Sequence, residues 1–225
     1  FSKMLRFYNM LKNLFLCLFF FVAPQIAFSD DEDFNQAKIL IDKYFDSVST
    51  MKAEFTQHIL DKNDRKVELM KGSFFIEKPE KIRWQYIEPY EQIFLADGVN
   101  FWTYDVDLEQ VTVKPQKEFL ARAQFILFYD NNELMTKFEV ASVDHEKEML
   151  WIQLKPLLSN ESGNEVILGF GRGILSEIKL VDSLDQTIII DIKNLVLNQN
   201  IQSNIFELNL PLGVDILGEP LGLVN

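Results

Sequence analysis

Residues 72–113 read GSFFIEKPEKIRWQYIEPYEQIFLADGVNFWTYDVDLEQVTV. Apolar and polar residues alternate here: Ile82, Trp84 and Tyr86 fall on one face of an extended strand, and Lys81, Arg83 and Gln85 on the other. Further on, Trp102 and Tyr104 repeat the theme on a common side. Turn chemistry separates the runs, with Lys78-Pro79, Glu88-Pro89, Asp97-Gly98 and Asp105 to Asp107 standing where reversals are needed. Spacing this close leaves no room for crossover helices. The runs Val67 to Ile76, Lys81 to Ile87, Gln92 to Ala96, Asn100 to Tyr104 and Glu109 to Lys114 therefore predict an antiparallel meander.

Upstream, Ala53, Phe55, Gln57 and Ile59 alternate with Lys52, Glu54, Thr56 and His58, which predicts one more strand from Met51, closed by a polar turn at Asp61 to Arg65. Before it the period changes. Phe34, Ala37, Ile41, Phe45 and Val48 recur at spacings of three and four, predicting an amphipathic helix capped by Asp33 and ending near Ser49. Downstream, Phe119, Leu120, Ala123, Ile126 and Leu127 predict a second helix between Pro115 and Asp130. Five further strands follow at Lys137 to Ser142, Glu148 to Lys155, Glu165 to Phe170, Ile174 to Val181 and Gln186 to Ile192, with Ser159 to Asn164 as a loop. The class is mainly β with α: ten or eleven antiparallel strands and two helices. A single sheet of that size closes or curls strongly, and amphipathic helices can cover its concave side.

The first 29 residues carry Lys3, Arg6 and Lys12, no acid, then the apolar run Leu14 to Val22 and Ala27-Phe28-Ser29. This is the layout of a cleaved secretory signal peptide, too short in its apolar run for a membrane span. It leaves residues 30–225 as one domain. The sole cysteine, Cys17, lies inside the run behind Leu16, which does not suit lipid attachment, so a soluble exported product without disulfides or thiolate metal sites is expected.

Residues 1–29 hold three of the 22 basic residues and none of the 34 acidic ones, so the remainder carries a net charge of −15. Such a charge argues against nucleic acid and against nonspecific adhesion to anionic membranes. Catalytic chemistry is scarce. Two histidines, His58 and His145, stand far apart with no partner at metal-ligand spacing, and no nucleophile elbow occurs. Gly169, Gly171 and Gly173 lie between two strands and suit a hairpin better than a phosphate loop. Neither a metal nor a cofactor is expected. A catalytic pair hidden among the carboxylates, as in a secreted hydrolase, stays open as a rival.

A glycine-led strand ending in a basic residue plus proline, then an aromatic strand, Pro89, Asp97-Gly98, Trp102-Thr103-Tyr104 and Glu109-Gln110, resembles the LolA family of periplasmic lipoprotein carriers. Phe55-Thr56-Gln57 upstream and Phe206-Glu207-Leu208, Pro211 and Gly213-Val214-Asp215 near the end extend the resemblance over nearly all of Asp33 to Ile216. It implies an incomplete antiparallel β-barrel whose helical lid covers an apolar cavity for acyl chains. Phe55, Ile82, Trp84, Tyr86, Trp102 and Tyr104 would then line the cavity. Phe34, Ile41, Phe45, Phe119, Ala123, Ile126 and Leu127 would belong to the lid helices. In that family an arginine directly before the strand-end proline ties lid to barrel; the matching position here is Lys78. Lysine lacks the planar fork of arginine.

By the same resemblance, the function would be that of a periplasmic chaperone that shields the acyl chains of lipoproteins. It would take them from an ATP-driven complex of the inner membrane and deliver them to a receptor in the outer membrane, working as a monomer without enzymatic activity. An envelope lipid-binding or sensing module of the same fold is the alternative within this class.

Overall fold

In the computed structural model, residues 30–118, 126–127, 129–157, 165–181 and 186–222 are described. The signal-peptide reading of residues 1–29 falls outside them, as do Phe119, Leu120 and Ala123 of the second expected helix and the whole 159–164 loop.

The period-two runs become strands β1 (Thr50–Leu60), β2 (Lys66–Glu77), β3 (Lys81–Glu88), β4 (Gln92–Asp97), β5 (Asn100–Asp105) and β6 (Gln110–Pro115). After residues 126–129 come β7 (Phe138–Glu146), β8 (Met149–Pro156), β9 (Glu165–Gly171), β10 (Ile174–Val181) and β11 (Thr187–Leu197), then the short β12 (Asp215–Leu217). All twelve join one sheet in the order β12-β6-β5-β4-β3-β2-β1-β11-β10-β9-β8-β7. Two meanders flank β1, which pairs with β2 on one side and β11 on the other. The sheet does not close, because β12 and β7 remain at its two ends. It is an incomplete barrel, as the strand count predicts. The exception to antiparallel pairing is β12, which runs parallel to β6.

Bulges bend this sheet. One extra residue of β11 opposes the step from Lys52 to Glu54, absorbed where Asn194 takes a φ of 53°. That break in alternation is why the period-two reading stops at Ile192 while the strand continues to Leu197. Another falls opposite Lys71 and Gly72. Gly72 also tolerates a close approach that no other residue allows: an added Cβ would lie 2.0 Å from the Gln85 carbonyl oxygen and 2.7 Å from Cζ of Phe55. At the β9–β10 turn, Arg172 and Gly173 have φ of 52° and 73°, the positive values of a two-residue hairpin.

Helix α1 (Asp30–Phe45) starts before Asp33 and leaves the helical path at Phe45, short of Ser49. Ala37, Leu40, Ile41, Tyr44 and Phe45 are buried against the sheet in one continuous core with Phe55, Phe74, Ile82, Trp84, Phe170 and Leu175. Phe34, expected on this face, is 42% exposed. It lies in the first turn at the edge of the buried stripe, beside Asp33, whose carboxylate meets His145 of β7 at 3.0 Å. Asp33 is thus a residue within the helix and not its cap. Ile126 and Leu127 are buried in the same core. The sequence reading missed α2 (Asn131–Lys137), capped by Asp130, which accepts a hydrogen bond from the Glu133 amide at 2.7 Å.

The opposite face of the first meander carries a second, smaller core: Ile93, Leu95, Tyr104 and Val111, with Trp102, Val106, Leu208, Leu210 and Val214 packed on it. The C-terminal segment supplies its cover. Asn100 fixes that segment by exchanging two hydrogen bonds with the backbone of Leu221.

Candidate functional site

Cross-strand register decides which aromatic residues share the concave face. Phe74 pairs with Trp84, Trp84 with Phe94, and Phe94 with Thr103. By the same ladders Arg83 stands beside Leu95 and Leu95 beside Trp102, while Gln85, Ile93 and Tyr104 form the next row. Trp102 and Tyr104 therefore lie on the opposite face from Ile82 and Trp84, and the expectation that they share a cavity with them is corrected. Strand β5 is apolar on both sides because both of its faces are covered: Phe101 enters the main core and Tyr104 the smaller one.

On the concave face the rings form a continuous run. Phe74 stacks on Trp84 with centroids 5.2 Å apart and planes 10° from parallel. Phe55 meets Trp84 at 4.5 Å and Tyr86 edge-on at 5.4 Å. Phe94 continues the run, 6.1 Å from both Tyr86 and Phe101. Phe74, Phe94 and Phe101 were not among the sequence candidates; the turn-to-turn register of β2 to β5 was the signal that could have found them. Ile82 is fully enclosed at 1% exposure.

Gln57, Trp84, Tyr86, Phe94, Leu180, Ile188 and Ile190 enclose about 40 Å³. That is on the order of one water molecule, against several hundred Å³ for a pocket that holds a drug-sized ligand. The Tyr86 hydroxyl donates to the Gln57 carboxamide oxygen at 2.9 Å, and burial pushes Tyr86 up to about 12 against the opposing pull of Trp84 and Gln57.

The C-terminal end of α1 is held from two directions. Lys78, in the β2–β3 turn, donates from its Nζ to the carbonyls of Tyr44 (3.2 Å), Phe45 (3.0 Å) and Tyr129 (2.8 Å). A cation there satisfies carbonyls that a helix end leaves unpaired and complements its dipole. Burial pushes this ammonium down to about 8, although Asp130 and Asp46 favour its charged form. From the other side, the Tyr44 hydroxyl accepts from the Leu175 amide (3.0 Å) and donates to the Gly173 carbonyl (3.3 Å), and its ring meets Phe170 at 5.2 Å.

Among the described residues no group of three or more His, Cys, Asp or Glu side chains is gathered to hold a metal. His58 pairs with Asp191 at 3.3 Å and His145 with Asp33. What the site offers is a large apolar surface under a helix fastened by a few polar contacts, an arrangement suited to burying hydrocarbon.

A family model described as outer membrane lipoprotein carrier protein LolA matches residues 46–209. An outer-membrane lipoprotein carrier protein of Dechloromonas aromatica (strain RCB) is 30% identical over 176 residues, covering 78% of this chain and 85% of that protein. One from Legionella pneumophila (strain Lens) is 30% identical over 207 residues, covering 92% and 99%. Among solved structures, an uncharacterized conserved protein from Thermus thermophilus shares the fold with a TM-score of 0.52 at 9% identity, over 81% of this chain and 98% of that one.

Proposed function

The chain belongs to the outer membrane lipoprotein carrier family LolA, and from that premise we propose how its structure performs the carrier's task. It is a lipoprotein chaperone of the periplasm, in a family of carriers and not of enzymes. The concave face made by Phe55, Phe74, Ile82, Trp84, Tyr86 and Phe94 is the surface that receives acyl chains, and α1 with Ile126 and Leu127 is the lid. Residues 1–29 direct export and residues 30–225 form the single carrier domain. Donor and acceptor are an ATP-driven complex of the inner membrane and a receptor of the outer membrane.

The observation that carries this reading is the broad apolar face of the sheet packed under α1, with Ile126 and Leu127 buried in the same core. A lipid anchor of a dozen or so methylenes costs on the order of 10 kcal/mol in water, at about 0.8 kcal/mol each. Hiding it requires that α1 move and that the acyl chain take its place against the rings. Lys78 and Tyr44 are the fastenings that must yield. Release at the acceptor is the reverse exchange, so binding need exceed the cost of opening only modestly.

The test is to incubate the exported form with inner-membrane vesicles that contain a triacylated lipoprotein and its releasing machinery. A soluble one-to-one complex of carrier and lipoprotein is expected. Lipoprotein that stays with the vesicles would overturn the proposal.

A further inference from the structure

Among the described residues three polar side chains are buried, and two of them are accounted for by turns. Gln116 accepts from the Gly98 amide and donates to the Glu80 carbonyl, and Asn100 holds Leu221. The third, Gln57, is 5% exposed on the concave face, where Tyr86 donates to it. Trp84, also 5% exposed, adjoins them, and its indole Nε1 is buried without a hydrogen-bond partner. It lies close enough to the Tyr86 hydroxyl to lower that group's pKa, yet makes no hydrogen bond of ordinary geometry. An orphaned donor in a dry interior is costly, and native structures keep few. Phenylalanine would fill a purely apolar lining without that cost.

The position of the trio is specific. Gln57, Trp84 and Tyr86 line the 40 Å³ gap together with Phe94, Leu180, Ile188 and Ile190, enough for one oxygen atom and its substituents. Beyond this level burial falls off along the same face: Ile59, Met70 and Ile188, which follow Gln57 and Ile190 in the register, are only half-buried. The trio thus marks the boundary between the deep hydrocarbon core and the open rim. A chain whose tail lies inward and whose head group stays at the rim brings its linkage to this level.

We infer that Trp84 Nε1, with Tyr86 and Gln57, forms a polar subsite that receives the carbonyl oxygen of an acyl linkage, ester or amide, and so sets how deep an acyl chain is seated. This rests on the acyl-cavity reading above. The indole N–H donates to the carbonyl, and the Tyr86–Gln57 pair supplies a second donor by rotating the hydroxyl away from Gln57. A bare hydrocarbon or an ether satisfies neither.

Three lipids of equal chain length test it: 1-monolauroylglycerol (ester), 3-lauroylamino-1,2-propanediol (amide) and 1-O-dodecylglycerol (ether), titrated into the protein by calorimetry. The ester or amide should bind several-fold more tightly than the ether, and whichever shows the gap identifies the linkage recognised. Trp84→Phe should shrink the gap by weakening the carbonyl lipid alone, since only the Tyr86 donor then remains. Equal affinity for all three overturns the subsite but leaves the carrier reading intact, whereas no binding of any of them overturns the acyl cavity itself. Should Trp84→Phe fail to fold, the unaltered protein still decides the matter. The infrared carbonyl stretch of bound ¹³C-labelled lipid should move to lower frequency than in hydrocarbon solvent, and an unmoved band overturns the proposal.

Discussion

Lys78 shows how one side chain can join three parts of a fold. Its amine reaches two carbonyls at the end of α1 and a third at Tyr129, so removing it takes a donor from two separate segments at once. Lys78→Met should lower stability by about 1–3 kcal/mol, the range for losing charged hydrogen bonds to partly buried acceptors, while Lys78→Arg should lose less. Urea titrations check both, and amide exchange should quicken at the C-terminal turn of α1 in the methionine variant. The same amine gives a pH signature. It titrates near 8 when folded, against roughly 10.4 in an unfolded chain. Between these values the folded form binds fewer protons, so stability rises with pH across that window, and below about 8 Lys78 adds no slope. Arginine stays charged throughout. Urea midpoints of the natural protein should therefore climb relative to Lys78→Arg between about pH 8 and 10; parallel curves would mean that burial does not depress this amine. The sequence identifies the position through the proline after it, but not its three acceptors, which come from segments 33, 34 and 51 residues away in the chain.

At the scale of elements, the proposed function assigns stability to one face of the first meander and binding to the other. Tyr104 is buried under the C-terminal segment beside Ile93 and Val111, whereas Phe94 meets Tyr86 and Phe101 on the concave side. Tyr104→Ala should cost about 3–5 kcal/mol by leaving a cavity and leave the acyl affinity of the folded protein unchanged. Phe94→Ala, only half-buried, should cost less and weaken acyl binding; equal effects on binding would show that the faces are not distinct. This division is the part of the site that the sequence hides. Strand β3 reads cleanly because Lys81, Arg83 and Gln85 make one side polar, but β5 presents Phe101 on one face and Trp102 and Tyr104 on the other. Its alternation has no polar phase to orient it. Helix α2 escaped because seven residues with one buried apolar side chain, Leu134, give no period, although Asp130 followed by Glu133 is a legible capping signature. Strand β12 is three residues long and wholly exposed, so hydrophobic patterning says nothing of it. The eleven other strands were legible because turn residues mark nearly every reversal.

For the molecule as a whole, the proposed carrier mechanism makes the closed state and the loaded state compete for one apolar surface. Leu40, Ile41, Tyr44 and Phe45 bury their side chains against the sheet, and at roughly 1.5–3 kcal/mol each this amounts to on the order of 10 kcal/mol. One acyl chain of a dozen methylenes recovers on the order of 10 kcal/mol. Uptake is then a nearly balanced exchange, and small changes in the lid's fastening should appear directly in cargo affinity. When the competent state is sparsely populated, the apparent dissociation constant is the intrinsic one divided by that population. Tyr44→Phe keeps the ring against Phe170 but deletes the hydroxyl that bridges the Gly173 carbonyl and the Leu175 amide. The loss of about 1 kcal/mol from the closed state should lower the urea midpoint and, at 1.4 kcal/mol per factor of ten, tighten binding of a fluorescent fatty-acid probe about fivefold. Stability and affinity would move in opposite directions. A variant that loses both would place the Tyr44 hydroxyl in the acyl site itself, and the lid would then be part of the binding surface and not its competitor.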